Sequence, residues 1–140
     1  EKNEREGYTG QWMLCELNRE FPTWLTIWPR ERMDKLFGSK TIRTGNETFD
    51  KRFNVSSDDE AAALHILTPD CAEKILALAN SSFGKLAINL NSDGRLYLAV
   101  HSGHGFFDLG KGREDPAQLR RRFTRELTWF TNMIDVFRGA

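Results

Sequence analysis

The segment from Lys85 to Val100 constrains the fold more than any other part of the sequence. Two runs that are typical of strands, Lys85 to Leu90 and Arg95 to Val100, flank Asn91-Ser92-Asp93-Gly94. The Asp-Gly pair is a strong signal for a tight β-hairpin turn. We therefore predict an antiparallel pair of strands at this point of the chain.

The N-terminal part of the sequence predicts further strands. Residues Tyr8 to Glu16 carry Trp12 and Leu14 two positions apart, so both side chains lie on one face of a predicted strand. Residues Thr23 to Trp28 are rich in β-branched and aromatic side chains, which favour a second strand. We predict that these two strands pair as a hairpin with a longer loop. A short strand is also predicted over residues 40–43.

Helix signals follow in the middle of the chain. Ser57-Asp58-Asp59-Glu60 fits a capping box, in which the first residue caps the helix and the last reaches back to the cap. Thr68 followed by Pro69 is typical of the cap and first position of another helix. Phe49 and Phe53 are spaced to lie on one helical turn with both rings against the core.

The last predicted helix spans residues 115–138, with Asp115 as its cap and Pro116 in its first turn. Six apolar side chains recur along it at intervals of three or four and form one continuous stripe: Leu119, Phe123, Leu127, Phe130, Ile134 and Phe137. The stripe must be buried against the sheet or against a partner chain. A homodimer through this helix is therefore one open interpretation.

The order of these elements favours an α+β fold over a parallel βαβ series, because strands, helices, a hairpin and a final helix follow one another. We predict an antiparallel sheet of about five or six strands with helices packed mainly on one face. Residues 1–6 are polar and charged and are expected to form a linker or a frayed terminus. Residues 7–140 have the length of one ordinary domain.

Composition narrows the classes of function and location. The 20 Lys and Arg residues balance the 20 Asp and Glu residues, so the net charge gives no argument for a nucleic-acid partner. The two cysteines, Cys15 and Cys71, are expected to be buried thiols in a reducing compartment rather than a disulfide. No segment reaches the roughly 18 apolar residues of a membrane-spanning helix. The chain starts without Met, which is compatible with a piece of a longer protein.

Six short segments occur in the same order as in a known family, and the range from Gly10 to about Leu109 over which the resemblance extends is most of the chain. They are Gly10-Gln11-Trp12, Leu17-Asn18-Arg19-Glu20-Phe21, Phe49-Asp50-Lys51-Arg52-Phe53-Asn54-Val55, Ser57-Asp58-Asp59, Ile66-Leu67-Thr68-Pro69 and Arg95-Leu96-Tyr97-Leu98-Ala99-Val100. With these motifs the chain resembles the bacterial DUF3137 family. Members of that family look like membrane-anchored proteins, with hydrophobic helices ahead of a soluble domain of this kind.

The resemblance implies a location and a partner, but no activity and no site residue. It implies a location at the cytoplasmic face of a bacterial inner membrane. If this chain differs from the family in being a soluble protein, the implied location is the cytoplasm. Family members are often encoded near LemA-like membrane proteins, so a LemA-like protein is the expected partner, and an anionic lipid surface is a second one. No nucleic-acid partner and no cofactor are predicted.

Two groups of residues are candidates for chemistry. His101 and His104, with Asp108 nearby, offer two imidazoles and a carboxylate to a zinc ion. Their spacing in a Gly-rich loop fixes no common ligand face, which favours ordinary polar loop residues.

Cys71 lies in a first helical turn, where the helix dipole lowers a thiol pKa, and His65 is a candidate base. No third orienting group is apparent, which favours a structural cysteine.

Two binding surfaces are also predicted. The loop with Phe106 and Phe107, together with His101 and His104, is a candidate small-molecule pocket against the sheet. The basic cluster of the last helix consists of Arg120, Arg121, Arg122 and Arg125. It is interpreted as a solvated helix face or as a contact for lipid head groups and other anions.

We expect a non-catalytic interaction or regulatory domain, because the resemblance implies a membrane location and no catalytic constellation stands out. Two alternatives remain open at this point. One is a small-molecule-binding domain that uses the Phe106–Phe107 loop. The other is a cryptic hydrolase that uses Cys71 with His65, or a metal at His101 and His104.

Overall fold

The computed structural model describes residues 10–30, 41–82, 84–101 and 115–139. These residues form five strands and four helices. In chain order they are β1 (Gly10–Glu16), β2 (Leu25–Pro29), α1 (Glu47–Arg52), β3 (Phe53–Ser56), α2 (Glu60–Ile66), α3 (Pro69–Asn80), β4 (Lys85–Leu90), β5 (Arg95–His101) and α4 (Pro116–Arg138).

The five strands form one antiparallel sheet in the order β1-β5-β4-β2-β3. The predicted α+β class is thus confirmed. The predicted β4–β5 hairpin also forms, with Leu86 opposite Val100 and Leu90 opposite Leu96. The predicted hairpin between the first two strands is wrong. β1 pairs with β5, whereas β2 lies between β4 and β3.

The connection between β1 and β2 explains this difference. Residues 17–21 dock on the β4–β5 turn instead of folding β2 back onto β1. The Leu17 N–H donates to the Gly94 carbonyl at 2.9 Å, and the Phe21 N–H donates to the Ser92 carbonyl at 2.8 Å. Gly94 has a φ of +96°, and a Cβ at this position would lie 2.2 Å from the Arg19 carbonyl oxygen. Glycine is required here because the two loops meet backbone to backbone.

One face of the sheet forms the core. Directly opposite residues of antiparallel strands point to the same face, so Ile27, Ile88 and Leu98 stand side by side. The buried side chains of this inner face include Leu25, Ile27, Val55, Leu86, Ile88, Leu90, Leu96, Leu98 and Val100. Ile75 of α3 and Phe130 of α4 belong to the same buried cluster. The helices therefore pack on this face, as predicted.

Side-chain caps set where α3 and α4 begin. The Thr68 hydroxyl accepts from the Cys71 N–H at 3.2 Å, with Pro69 at the first helical position. The Asp115 carboxylate accepts from the Gln118 N–H at 2.8 Å. Both predicted caps are confirmed. Each satisfies a helical N–H group that has no partner within its own helix.

The predicted capping box at Ser57 is wrong. The cap of α2 is Asp59, whose side chain accepts from the Ala62 N–H at 3.1 Å. The Ser57 hydroxyl instead donates to the Trp24 carbonyl at 2.6 Å. A tertiary hydrogen bond to the residue just before β2 thus competes successfully with the local cap.

The region around α1 follows the prediction in part. Phe49 lies in α1, but Phe53 already opens β3, and the two buried rings are 5.0 Å apart between centroids. Of the predicted strand over residues 40–43, the described part, residues 41–43, is not a strand. The Ile42 N–H nevertheless donates to the Val55 carbonyl at 2.9 Å, so this segment lies along β3.

The second half of α4 packs inside its own chain. Its buried large side chains are Trp129, Phe130, Met133, Ile134 and Phe137. The Trp129 indole donates to the Leu78 carbonyl at 2.7 Å and so fastens α4 to α3. The Gln11 side chain donates to the Glu126 carboxylate at 2.8 Å, and both residues are only 2% exposed. This buried hydrogen bond ties β1 to α4.

The first half of α4 is less deeply packed. Leu119, Phe123 and Leu127, which continue the predicted apolar stripe, are half-buried. Whether this part contacts a second copy of the chain, as one interpretation of the stripe holds, stays a prediction. Among the described helices, none combines the length and the apolar character that crossing a bilayer requires.

We predict that truncating Phe137 to alanine strongly destabilises the chain, because its ring is fully buried at the C-terminal end of α4. Phe137→Ala should lower the free energy of unfolding by about 3–5 kcal/mol. Thr124→Ala, an exposed position of the same helix, should change it by about 0.5 kcal/mol or less. Urea unfolding followed by circular dichroism measures both. Equal effects of the two substitutions would contradict the packing of α4 described above.

Candidate functional site

Of the predicted histidine site, only His101 lies in the described residues. It ends β5, and its side chain is exposed. His104, Phe106 and Phe107 lie outside the described residues, so the predicted ligand pocket and the His101–His104 metal pair stay predictions. Within the described ranges, no three His, Cys, Asp or Glu side chains come together as a metal site.

Cys71 and His65, the candidate nucleophile and base, face different surroundings. Cys71 is buried in the first turn of α3, and this burial raises the pKa of its thiol from 9.0 to about 11. His65 lies in α2 with an exposed side chain, and no hydrogen bond joins it to the thiol. A thiol with so high a pKa is protonated near neutral pH and is a poor nucleophile. The geometry therefore favours the structural interpretation of Cys71.

The predicted basic cluster divides between two sides of α4. Arg120, Arg121 and Arg125 are exposed, whereas Arg122 is half-buried. Arg125 also lines a hollow of about 340 Å³ between α3 and α4, next to Trp129. The exposure of these three residues fits a solvated helix face. Their contact with lipid head groups or other anions stays a prediction.

The outer face of the sheet carries large apolar side chains that are exposed in the described part of the chain. Trp12 is 64% exposed and Leu14 is 47% exposed. The register places Trp12 beside Ala99 and Leu14 beside Tyr97. Met13, between them, points to the inner face and packs against the core. An exposed apolar patch of this kind is typical of an interaction surface.

The two edge strands of the sheet differ in how they are protected. Beside β3, the Ile42 N–H donates to the Val55 carbonyl, and the Thr41 hydroxyl accepts from the Val55 N–H at 2.7 Å. Along β1, the described residues provide no strand on the side away from β5. Edge strands are usually protected by charged residues, proline or bulges. β1 contains no proline, and Glu16 is its one charged residue.

We call Trp12, Leu14 and the outward backbone edge of β1 the β1 edge. The sequence predicted correctly that Trp12 and Leu14 share a face, but not that this face is open. Period-two alternation distinguishes two faces without saying which one the helices cover. Large apolar side chains are usually on the buried face. Here the inner positions of β1 are Gln11, Met13 and Cys15 instead.

The raised pKa of Cys71 predicts a pH-dependent stability above pH 9. The unfolded chain loses the thiol proton near the ordinary value of 9.0, whereas the folded chain keeps it up to about 11. Unfolding is therefore increasingly favoured as the pH rises through this interval. As the pH rises through this interval, the free energy of unfolding of the unchanged chain should fall by about 2–3 kcal/mol more than that of the Cys71→Ala variant. Urea unfolding at fixed pH steps tests this, and parallel pH profiles would contradict it.

Comparison with known proteins gives one family. The family model described as "Protein of unknown function (DUF3137)" matches residues 6–138. No curated protein and no solved structure matches the chain. The matched range runs from ahead of β1 to the last turn of α4, so it contains the whole sheet and the β1 edge. The resemblance seen in the sequence motifs is thereby confirmed, and the chain belongs to the DUF3137 family.

Proposed function

We propose that this chain is a non-catalytic interaction domain that binds an extended segment of a partner protein along the β1 edge. The observation that carries the proposal is the 64% exposure of Trp12, next to Leu14, on the open face of an edge strand. Water around large apolar side chains is displaced favourably when a partner covers them. Trp is also one of the residue types that are enriched at the energetic centres of protein interfaces.

The backbone of β1 favours a strand as the occupant. β1 keeps an unbroken register with β5 from Gly10 to Glu16. Its outward N–H and C=O groups are therefore spaced for pairing with a further strand. When a peptide adds to a sheet edge, the main-chain hydrogen bonds supply affinity and alternate side chains supply specificity. Trp12 and Leu14 stand at such alternate positions.

The charges around the β1 edge indicate which part of it a partner covers. At the Glu16 end, the Glu16 carboxylate lies 3.4 Å from the Arg95 guanidinium, so this end carries an exposed ion pair. The opposite part, around Trp12, carries apolar side chains on the open face. The partner segment we propose is therefore extended and has apolar side chains at alternate positions.

We further propose a LemA-like membrane protein as the partner and the cytoplasmic face of a bacterial inner membrane as the location. The support is the family resemblance, which implies hydrophobic helices ahead of a domain like this one and LemA-like proteins encoded nearby. A domain held at a membrane in this way meets its partner at a high effective concentration. A modest contact along one strand is then sufficient for binding.

Binding to the purified LemA-like protein of the same genome tests the surface. Biolayer interferometry should show that Trp12→Ser/Leu14→Ser weakens binding at least about tenfold, because the buried area of a Trp and a Leu is lost. The matched control is Arg120→Ser/Arg121→Ser, two exposed positions on α4. It should bind as the unchanged chain does, and it also tests the basic cluster as an alternative surface.

The outcomes separate the surface from the partner. Equal binding of the Trp12→Ser/Leu14→Ser variant and the unchanged chain would show that the β1 edge is not the surface. Loss of binding in the arginine variant alone would assign the contact to α4. No binding by the unchanged chain would exclude the LemA-like protein as the partner.

The location is tested by fractionating cells that contain the natural full-length protein. We expect it in the membrane fraction and expect it to stay there after a high-salt wash. Such a wash releases proteins held by surface charge, because salt screens exposed charges. Recovery of the intact protein wholly in the soluble fraction would exclude the proposed location.

A further inference from the structure

A pocket lined by cationic side chains lies at the opposite end of the sheet from the β1 edge. It has a volume of about 320 Å³ and is lined by Arg30, Arg43, Asp50 and Lys51. Arg30 directly follows β2, Arg43 precedes α1, and the other two residues lie within α1. The pocket thus gathers three positive side chains and one carboxylate from separate parts of the chain.

Backbone contacts hold the walls of this pocket in place. The Arg30 N–H donates to the Arg52 carbonyl at 2.9 Å, which joins the end of β2 to the end of α1. Gly45, with a φ of +94°, turns the chain between Arg43 and α1. This positive φ is a conformation that glycine adopts without steric cost. The position of Arg43 relative to α1 therefore depends on a defined turn.

The Asp50 carboxylate accepts hydrogen bonds from residues of this same turn. It is 7% exposed and accepts from the Thr44 N–H at 3.0 Å, the Thr44 hydroxyl at 2.9 Å and the Gly45 N–H at 3.2 Å. All three hydrogen bonds come from neutral donors. No ion pair joins Asp50 to Arg30, Arg43 or Lys51 within the described residues. The carboxylate therefore orders the loop without neutralising any one of the three cations.

The three cations of the pocket also lack other acceptors among the described residues, in contrast to their neighbour Arg52. The Arg52 guanidinium donates to the Asn80 side chain and to the Ala79 carbonyl, and it stacks on Phe53. The Arg30 Nε is shielded from solvent and has no hydrogen-bond partner. A ligand in the pocket is therefore expected to use the other N–H groups of Arg30, which also have no acceptor in the described part of the chain.

We propose that this pocket binds a phosphate-class oxyanion. Arginine presents its N–H groups in a planar fork that matches the oxygens of a phosphate, and Lys51 adds a point charge. Three cations against one carboxylate leave an excess of positive charge that suits a dianion. A volume of about 320 Å³ accommodates a phosphoryl group together with the first atoms attached to it. The ligand is therefore a phosphate monoester, either of a soluble metabolite or of a lipid head group.

The inference does not rest on the proposed interaction with a partner protein. The pocket lies beside β2 and β3, whereas the β1 edge is at the other end of the strand order. Substitutions at Arg30 or Arg43 leave Trp12 and Leu14 unchanged. The two proposals can therefore fail separately.

Calorimetric titration with inorganic phosphate near neutral pH, at an ionic strength held constant with sodium chloride, tests the pocket. Arg30→Gln and Arg43→Gln should each weaken phosphate binding by about tenfold, as expected when a charge-assisted hydrogen bond is lost. Arg138→Gln, which removes an exposed charge at the end of α4 outside the basic cluster, is the matched control and should bind as the unchanged chain does. Circular dichroism checks the fold of each variant. Arg43 is exposed, so its variant remains informative if Arg30→Gln unfolds the chain.

Vesicle binding separates the two sources of the phosphate group. Phosphatidylcholine vesicles that contain phosphatidic acid present a lipid phosphate monoester, and pure phosphatidylcholine vesicles do not. Binding to the first vesicles alone, lost in Arg43→Gln, would assign the pocket to a lipid. Binding of inorganic phosphate without vesicle binding would assign it to a soluble ligand. The proposal is overturned if neither probe binds, or if Arg30→Gln and Arg43→Gln bind both probes as tightly as Arg138→Gln.

Discussion

The inner face of the five-stranded sheet is the constraint on which the rest of the structure depends. Its aliphatic side chains come from every second position of the central strands and must be kept from water. The alternate positions of the same strands cannot share this face, because successive side chains of a strand point in opposite directions. α3 and α4 therefore pack on one side, and the strength of their attachment depends on residues such as Phe130 and Phe137, which are fully buried.

A sheet that is covered on one side still has an outer face and two edge strands. In this sheet the surroundings of the β3 edge differ from those of the β1 edge. At β3 the segment around Ile42 lies along the edge and hydrogen-bonds to Val55. Near that edge the chain gathers Arg30, Arg43 and Lys51 around a pocket. At β1 the outward side chains are apolar instead. One end of the sheet thus carries cationic side chains and the other carries exposed apolar ones, so the two ends of a single layer of strands differ chemically.

The features that the sequence predicted correctly are local ones. The Asp93-Gly94 turn and the caps Thr68 and Asp115 each depend on residues a few positions apart, and all three form. The pairing of β1 with β5 could not be predicted in this way, because it joins residues 79 to 91 positions apart and depends on which faces must be buried. The cap at Asp59 was missed for a related reason, since Ser57 is held by Trp24 in a distant loop. The pocket around Arg30 likewise joins separate segments, and no single motif indicates it.

The glycine in the β4–β5 turn has a consequence for how the chain can be altered. Surface hairpin turns are usually good places for insertions, tags or new termini. This turn accepts two backbone hydrogen bonds from residues 17–21, and Gly94 leaves no space for a side chain against Arg19. Lengthening it would separate the turn from residues 17–21, which begin the connection from β1 to β2. Although it lies at the surface of the molecule, the turn is held by contacts with another part of the chain. We therefore expect that few insertions or substitutions are tolerated at this point.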